Sequence, residues 1–389
     1  MNVRVLTNLL VIGTGVMLLV GVVMMSFAAR PMAEQAQIQE MLRNAREDLD
    51  EGNFQGAMQN LTAAQKAAPN RPDIRKALAE AYLANNQPLQ AMQELKKAVE
   101  IAPNDYDINE AYGDALEDLE SPQAALAFYS EMITKFPSQL APRARAAEVH
   151  EEMGQPKLAE KLWEEATKTD KDDDTAWVRW GQLVAATGDL EGAKKVFQKG
   201  IEQQPGSALL HFNLGALLSV TGKEKEALQE LHTAGQLDGE FKQLLDQIGI
   251  AGDATKVSPL HVVTLRENAD GAFYVPSVLD KAVLARLIVD QNVALSVVST
   301  PLAKRLKVDT IKSPPVSYKK ASAPDCKATF TLNSVKVATA TVNNLPAAVF
   351  NPAGSERNTP KEGLLGMNYL DRFKFHIDGH HQQLILVTR

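Results

Sequence analysis

LIVDQNVALSVVST, residues 287–300, decides how this chain is read. An apolar triplet, Leu287–Val289, meets one carboxylate, Asp290, then two amides, Gln291 and Asn292, then a second apolar run. Short runs rich in Val and Ile and bounded by polar residues predict buried strands. Asp290 therefore stands where the first strand gives way to a turn. An aspartate at a strand end is commonly only a turn cap, so its neighbours must decide whether it does chemistry.

Those neighbours lie in a region where the hydrophobic period switches to two. From Ser258 onward β-branched residues alternate, and His261–Glu267 and Ala272–Val275 flank Asp270-Gly271, a hairpin signal. Lys281–Asp290 predicts a central strand and Ala294–Val298 another. Pro301–Leu306 predicts a short helix with proline at its first position. Ala328–Leu332, Ser334–Val342 and Ala347–Phe350 predict further strands. Leu364–Leu370 includes a short helix, and Phe373–Asp378 with Leu384–Thr388 closes a mostly β domain over 258–389.

Asp290, the short helix with Ala303 and Leu306, and Gly363-Leu364-Leu365-Gly366-Met367 together resemble the retropepsin-like aspartic protease domain. The resemblance places Asp290 at the catalytic aspartate, with Gln291 and Asn292 in place of Thr and Gly, and a flap within Lys312–Ser322. It implies that two copies pair, so that two carboxylates share one proton and activate a water. The resemblance implies a threonine hydroxyl contact across the dimer that the longer Gln291 amide does not reproduce, and Asn292 adds a side chain where the family's glycine leaves room. The expectation is a protease-shaped docking or dimerisation module. The alternative is an active aspartic endopeptidase, a homodimer using Asp290 from each subunit, with the repetitive first half of the chain selecting substrate.

The first half is repetitive. Alanines fall at Ala57, Ala91, Ala125, Ala159, Ala193 and Ala227, each 34 residues after the last. Pro69, Pro103, Pro137 and Pro205 follow at one fixed offset, and Gly52, Gly154, Gly188 and Gly222 precede at another. Such a period reads as a helix pair that buries its apolar face only by stacking on its neighbours. The pattern resembles the tetratricopeptide repeat, most clearly at Trp177, Gly181, Ala193, Phe197 and Pro205. It predicts a six-repeat solenoid over 38–252, closed by a capping helix at 241–250, with 253–257 as linker. The resemblance implies a peptide groove lined by first helices, which puts Asp73, Glu80, Asp107, Glu110, Asp114, Glu117, Glu148, Glu151 and Phe212 on or near it. An acidic first part and an apolar second part suit a basic, amphipathic protein or peptide partner.

The fold class expected is thus multidomain α + β: an N-terminal transmembrane helix, an all-α solenoid and a β domain. Residues 5–29 carry no charge, and at about 1.5 Å per residue they reach roughly 37 Å, enough to span a bilayer. With Arg4 on the near side, an anchor over 1–30 leaves the bulk extracytoplasmic, periplasmic in a Gram-negative cell. Ser26-Phe27-Ala28-Ala29 keeps a cleaved signal peptide as the alternative. The net charge of −7 argues against nucleic acid, and a lone Cys326 against a disulfide framework. Asp170–Asp174 lacks the glycine and distal glutamate of a calcium loop. His376, Asp378, His380 and His381 straddle a turn with no fourth ligand in the sequence. No metal or cofactor is expected.

Overall fold

The computed structural model describes residues 35–85, 87–119, 121–170, 173–250, 256–267, 272–308, 326–350 and 362–389. The chain divides into two compact units at Phe128/Tyr129. The first holds α1 (35–50), then α2 (Phe54–Ala67), α3 (Pro72–Ala84), α4 (Pro88–Ile101), α5 (Tyr106–Leu119) and the start of α6 (Pro122–Lys135). The second continues through α7 (Ala141–Glu152), α8 (Pro156–Ala166), α9 (Thr175–Thr187), α10 (Leu190–Gln203), α11 (Ala208–Val220), α12 (Glu224–Leu237) and the capping α13 (Gly239–Gln247).

The repeat alanines show why they recur. All six are 0% exposed, inside a close-packed interior where a larger side chain has to displace its neighbours. Glycine does the same one helix earlier. A Cβ on Gly181 would lie 2.3 Å from the Phe197 ring, and one on Gly215 2.7 Å from Leu231. Prolines occupy the first turns of α3, α4, α7 and α8, where a missing N–H costs nothing. Among the described residues no helix is long and apolar enough to cross a membrane. The 5–29 run, the 268–271 turn and the 312–322 segment lie outside those residues.

The β part forms two sheets. Strands β1 (Leu260–Thr264), β9 (Phe373–Asp378) and β10 (Gln383–Thr388) make a three-stranded antiparallel sheet ordered β1-β10-β9. The other sheet contains β2 (Arg266–Glu267), β3 (Phe273–Leu279), β4 (Val283–Val289), β5 (Ser296–Ser299), β6 (Cys326–Val337), β7 (Ala340–Phe350) and β8 (Gly363–Leu365). Its order is β2-β3-β4-β8-β5-β7-β6, and a β3–β6 pairing closes it into a ring. The short helices are α14 (Thr300–Arg305) and α15 (Met367–Leu370).

Several expectations change here: the strand expected over His261–Glu267 is split, with 260–264 on β10 and only Arg266 and Glu267 on β3, and β8 is not among the expected strands. The predicted strands 328–332, 334–342 and 347–350 are two long strands joined at Ala338-Thr339. Ala338 takes φ 48 there, a turn without the glycine or asparagine that would announce it. The β4 strand starts two residues late, because Asp280 and Lys281 both have positive φ and make the β3–β4 turn. Asp280 holds that turn by accepting a bond from the Ser334 N–H at 3.1 Å.

The three-stranded sheet is a middle layer. Leu260, Val262, Ile385 and Val387 share a core with the helices α8 to α13. The alternate residues Val263, Leu384 and Leu386 share a core with the ring. With both faces covered, each buried aliphatic side chain contributes on the order of 1.5–3 kcal/mol. The last three repeats and the β part are therefore one packed body.

Candidate functional site

Asp290 follows β4 directly and is half-buried. Its N–H donates to the Leu365 carbonyl at 3.2 Å. Its Oδ1 accepts from the Asn292 N–H at 2.8 Å, so the carboxylate caps its own turn. The loop beyond is pinned by the chain around Gly366. The Met367 N–H donates to the Val293 carbonyl at 2.8 Å and the Asn368 N–H to the Ala294 carbonyl at 3.0 Å. Asn368 Oδ1 accepts from both the N–H and the hydroxyl of Ser296, each at 2.8 Å.

Glycine is obligatory in that brace. A Cβ on Gly366 would stand 2.7 Å from the Val293 carbonyl oxygen, and one on Gly363 2.3 Å from that of Val297. The Gly-Leu-Leu-Gly run thus lets β8 enter between β4 and β5, parallel to one and antiparallel to the other. Its effect is to set the Leu365 carbonyl against the Asp290 N–H. Gln291 and Asn292, however, are both exposed beside it. The loop Asp290–Ser296 supplies a single carboxylate, so a paired acid has to come from elsewhere.

The acidic residues expected in the groove divide between the two units. In the first, Asp73 and Glu80 on α3 and Asp107 on α5 are exposed, while Glu110, Asp114 and Glu117 are half-buried. Positions 107, 110, 114 and 117 share one helix face by spacing. Glu110 accepts a 2.8 Å bond from the Tyr106 hydroxyl. The hydrogen bond from Arg71 holds the Asp73 carboxyl below its ordinary range.

In the second unit Glu148, Glu151 and Phe212 are not open to a partner. Phe212 is fully buried and stacks on Phe241 with centroids 4.6 Å apart. Glu148 and Glu151 belong to an internal ionic network. Arg266 of β2 reaches Glu151 at 2.5 Å, Glu152 at 3.4 Å and Glu148 at 3.6 Å. Arg179 of α9 reaches Glu148 at 3.0 Å and Glu151 at 3.8 Å. Arg286 of β4 reaches Glu152 at 3.4 Å, and the Trp163 indole N–H donates to Glu151 at 2.7 Å. The Arg266 and Arg179 side chains are only 5% and 7% exposed, so the charges interact at low dielectric.

The network sets its own titration. Burial pushes the Glu148 carboxyl up, but Arg266, Arg179 and Arg145 outweigh it and leave the group below its ordinary value. At Glu152 burial prevails and the carboxyl is raised. Burial, with Glu152 beside it, pushes the Tyr274 phenol up to about 12.

The contacts also run in order along the chain. The Leu260 N–H donates to Ser219 Oγ of α11 at 2.8 Å. Gln182 of α9 accepts from the Thr264 hydroxyl at 2.8 Å. Arg266 then meets Glu148 and Glu151 of α7. Residues 260–266 thus lie across the first helices of the last three repeats, where a peptide ligand was expected. Sequence reasoning missed Arg266, Arg179, Gln182 and Ser219. One cue was present: Arg266 is a lone cation ending an apolar strand, LHVVTLRE.

Family models match the chain in three places: tetratricopeptide repeats at 48–115 and 145–208, and aspartyl protease at 277–369. No curated protein gives a match. Among solved structures, a retropepsin-like aspartic protease from Rickettsia conorii is 28% identical, covering 33% of this chain and 92% of that one, with TM-score 0.27. YrrB, described as a TPR protein with an unusual peptide-binding site, is 20% identical over 48% of this chain and 97% of its own, with TM-score 0.34. The PilF protein of Pseudomonas aeruginosa is 19% identical over 56% and 99%, with TM-score 0.39. The chain carries tetratricopeptide repeats followed by a retropepsin-like domain.

Proposed function

We propose that this protein is a protein-interaction scaffold whose retropepsin-like domain does no hydrolysis, and that partner capture falls to the acidic first helices α3 and α5. The observation that supports it is the occupancy of the later repeats by residues 260–266, with Glu148, Glu151 and Phe212 consumed internally. Asp73, Glu80, Asp107 and Glu110 then present the acidity suited to a basic, amphipathic partner. At Asp290 the exposed Gln291 and Asn292 stand where the resemblance expects Thr and Gly, and errors near 1 Å beside a catalytic carboxylate are costly. In this reading residues 5–29 anchor the protein in a membrane, with both units outside the cytoplasm.

The rival is an aspartic endopeptidase formed by two copies, favoured by the hydrogen bonds that brace the Asp290 turn. One experiment separates the two. The parent, Asp290→Asn and the charge-reversed Asp107→Lys/Glu110→Lys chains are assayed side by side for cleavage of unfolded casein at pH 4–6 and for retention of co-purifying proteins. The scaffold reading expects no Asp290-dependent cleavage, partners kept by Asp290→Asn, and partners lost on charge reversal. Cleavage that disappears with Asp290→Asn would establish the enzyme instead.

A further inference from the structure

In the region His376–His381 four metal-ligating side chains straddle a turn, and of these His380 and His381 come together as metal donors. The fold supplies the remaining donors. It brings the first turn of α13 against the β9–β10 turn, so that Glu240, His380 and His381 present donor atoms all within 4.8 Å of one another. Asp238, the N-cap of α13, places Oδ2 3.2 Å from His381 Nε2. From this juxtaposition we propose a binding site for a divalent ion of the zinc class, with His381, His380, Glu240 and Asp238 as ligands, fastening α13 to the β9–β10 turn.

The surroundings are arranged as a ligand's surroundings should be. Asp378 Oδ2 lies 2.7 Å from His381 Nδ1, while its Oδ1 accepts from the N–H groups of His380 and His381 at 3.0 and 3.1 Å. A proton on Nδ1 directed at a carboxylate leaves Nε2 as the metal donor, the carboxylate–histidine–metal arrangement. Phe241 stacks on the His381 ring with centroids 4.2 Å apart and fixes its plane. His381 is thus held in position, whereas His380 and Glu240 are largely exposed, with side-chain exposures of 69% and 56%. Their rotation closes the remaining gap to the ~2.0–2.2 Å of imidazole and carboxylate ligation. Two imidazoles with carboxylates form a donor set suited to zinc, nickel and copper rather than to calcium. On binding, the metal replaces the Nε2 to Asp238 hydrogen bond, and any proton on Nε2 passes to solvent.

The test uses the full chain stripped with EDTA, titrated with Zn²⁺ by calorimetry and with Co²⁺ by visible absorption. One equivalent of metal is expected, with a cobalt spectrum of low-symmetry, high-intensity bands and a rise in melting temperature. His380→Ala and His381→Ala should each weaken binding at least ~10-fold, and Asp378→Asn, which acts through His381, by ~10–100-fold. His232→Ala should bind as the parent does. His380 is exposed enough that its removal leaves the fold intact, which circular dichroism checks. Binding unchanged in both histidine variants, or no cobalt spectrum beyond that of the free ion, overturns the site.

Discussion

Replacing Arg266 with methionine tests the junction between the helical repeats and the β part. The parent network sets four arginines, 145, 179, 266 and 286, against three glutamates, 148, 151 and 152. Methionine fills much of the arginine's volume but removes the cation that reaches all three acids. Removing one partner of a buried ionic network costs about 3–5 kcal/mol, because the remaining charge is neither solvated nor paired. At about 2–4 °C per kcal/mol for a body of this size, the second unit should melt roughly 6–20 °C earlier by calorimetry. The loss should also depend on pH. In the parent, Glu148 titrates below its ordinary value, so its stabilisation is present above the unfolded value and lost as pH falls through the folded one. Without Arg266 the largest influence opposing burial is gone, and the Glu148 carboxyl is expected to rise. Protonation then relieves the variant, and its deficit should shrink as pH falls from 7 toward 4.5. A melting shift under about 2 °C, or a deficit unchanged with pH, would refute the reasoning.

Two further outcomes follow from single side chains. His261 is held between Thr339 Oγ1 at 2.7 Å and Thr388 Oγ1 at 3.2 Å, and burial lowers its pKa to about 4. The unfolded chain therefore binds the extra proton between pH 6.5 and 4, so up to ~3 kcal/mol of stability drains away as pH falls through that window. His261→Gln should flatten the stability profile there, as read by urea titrations at several pH values. Gly366→Ala drives a methyl group into the Val293 carbonyl and should cost ~1–3 kcal/mol, while increasing amide exchange across 293–296 in mass-spectrometric hydrogen exchange.

What the sequence determined by itself is periodic or local. Six alanines 34 residues apart specify the helix pairs, because each marks a close approach that recurs with every repeat. Alternation after Ser258 specifies strands, whereas Gly363-Leu364-Leu365-Gly366 was marked in the sequence only by a resemblance, and the structure adds that it is a strand packed too closely for a Cβ at either glycine. The Ala338-Thr339 turn stayed hidden because an alanine adopts a backbone usually left to glycine, held by the pairing of its flanking strands.

Only the tertiary structure decided what the acidic residues do. Glu148 and Glu151 look like Asp114 and Glu117 one repeat earlier, yet they are buried against an arginine more than a hundred residues away. The same holds for Glu240, which reaches the histidines of the last hairpin only because α13 folds against it. A charge's neighbours along the chain fix its helix face. Its burial and its partner depend on which distant segment covers that face, and that is set by packing rather than by local pattern.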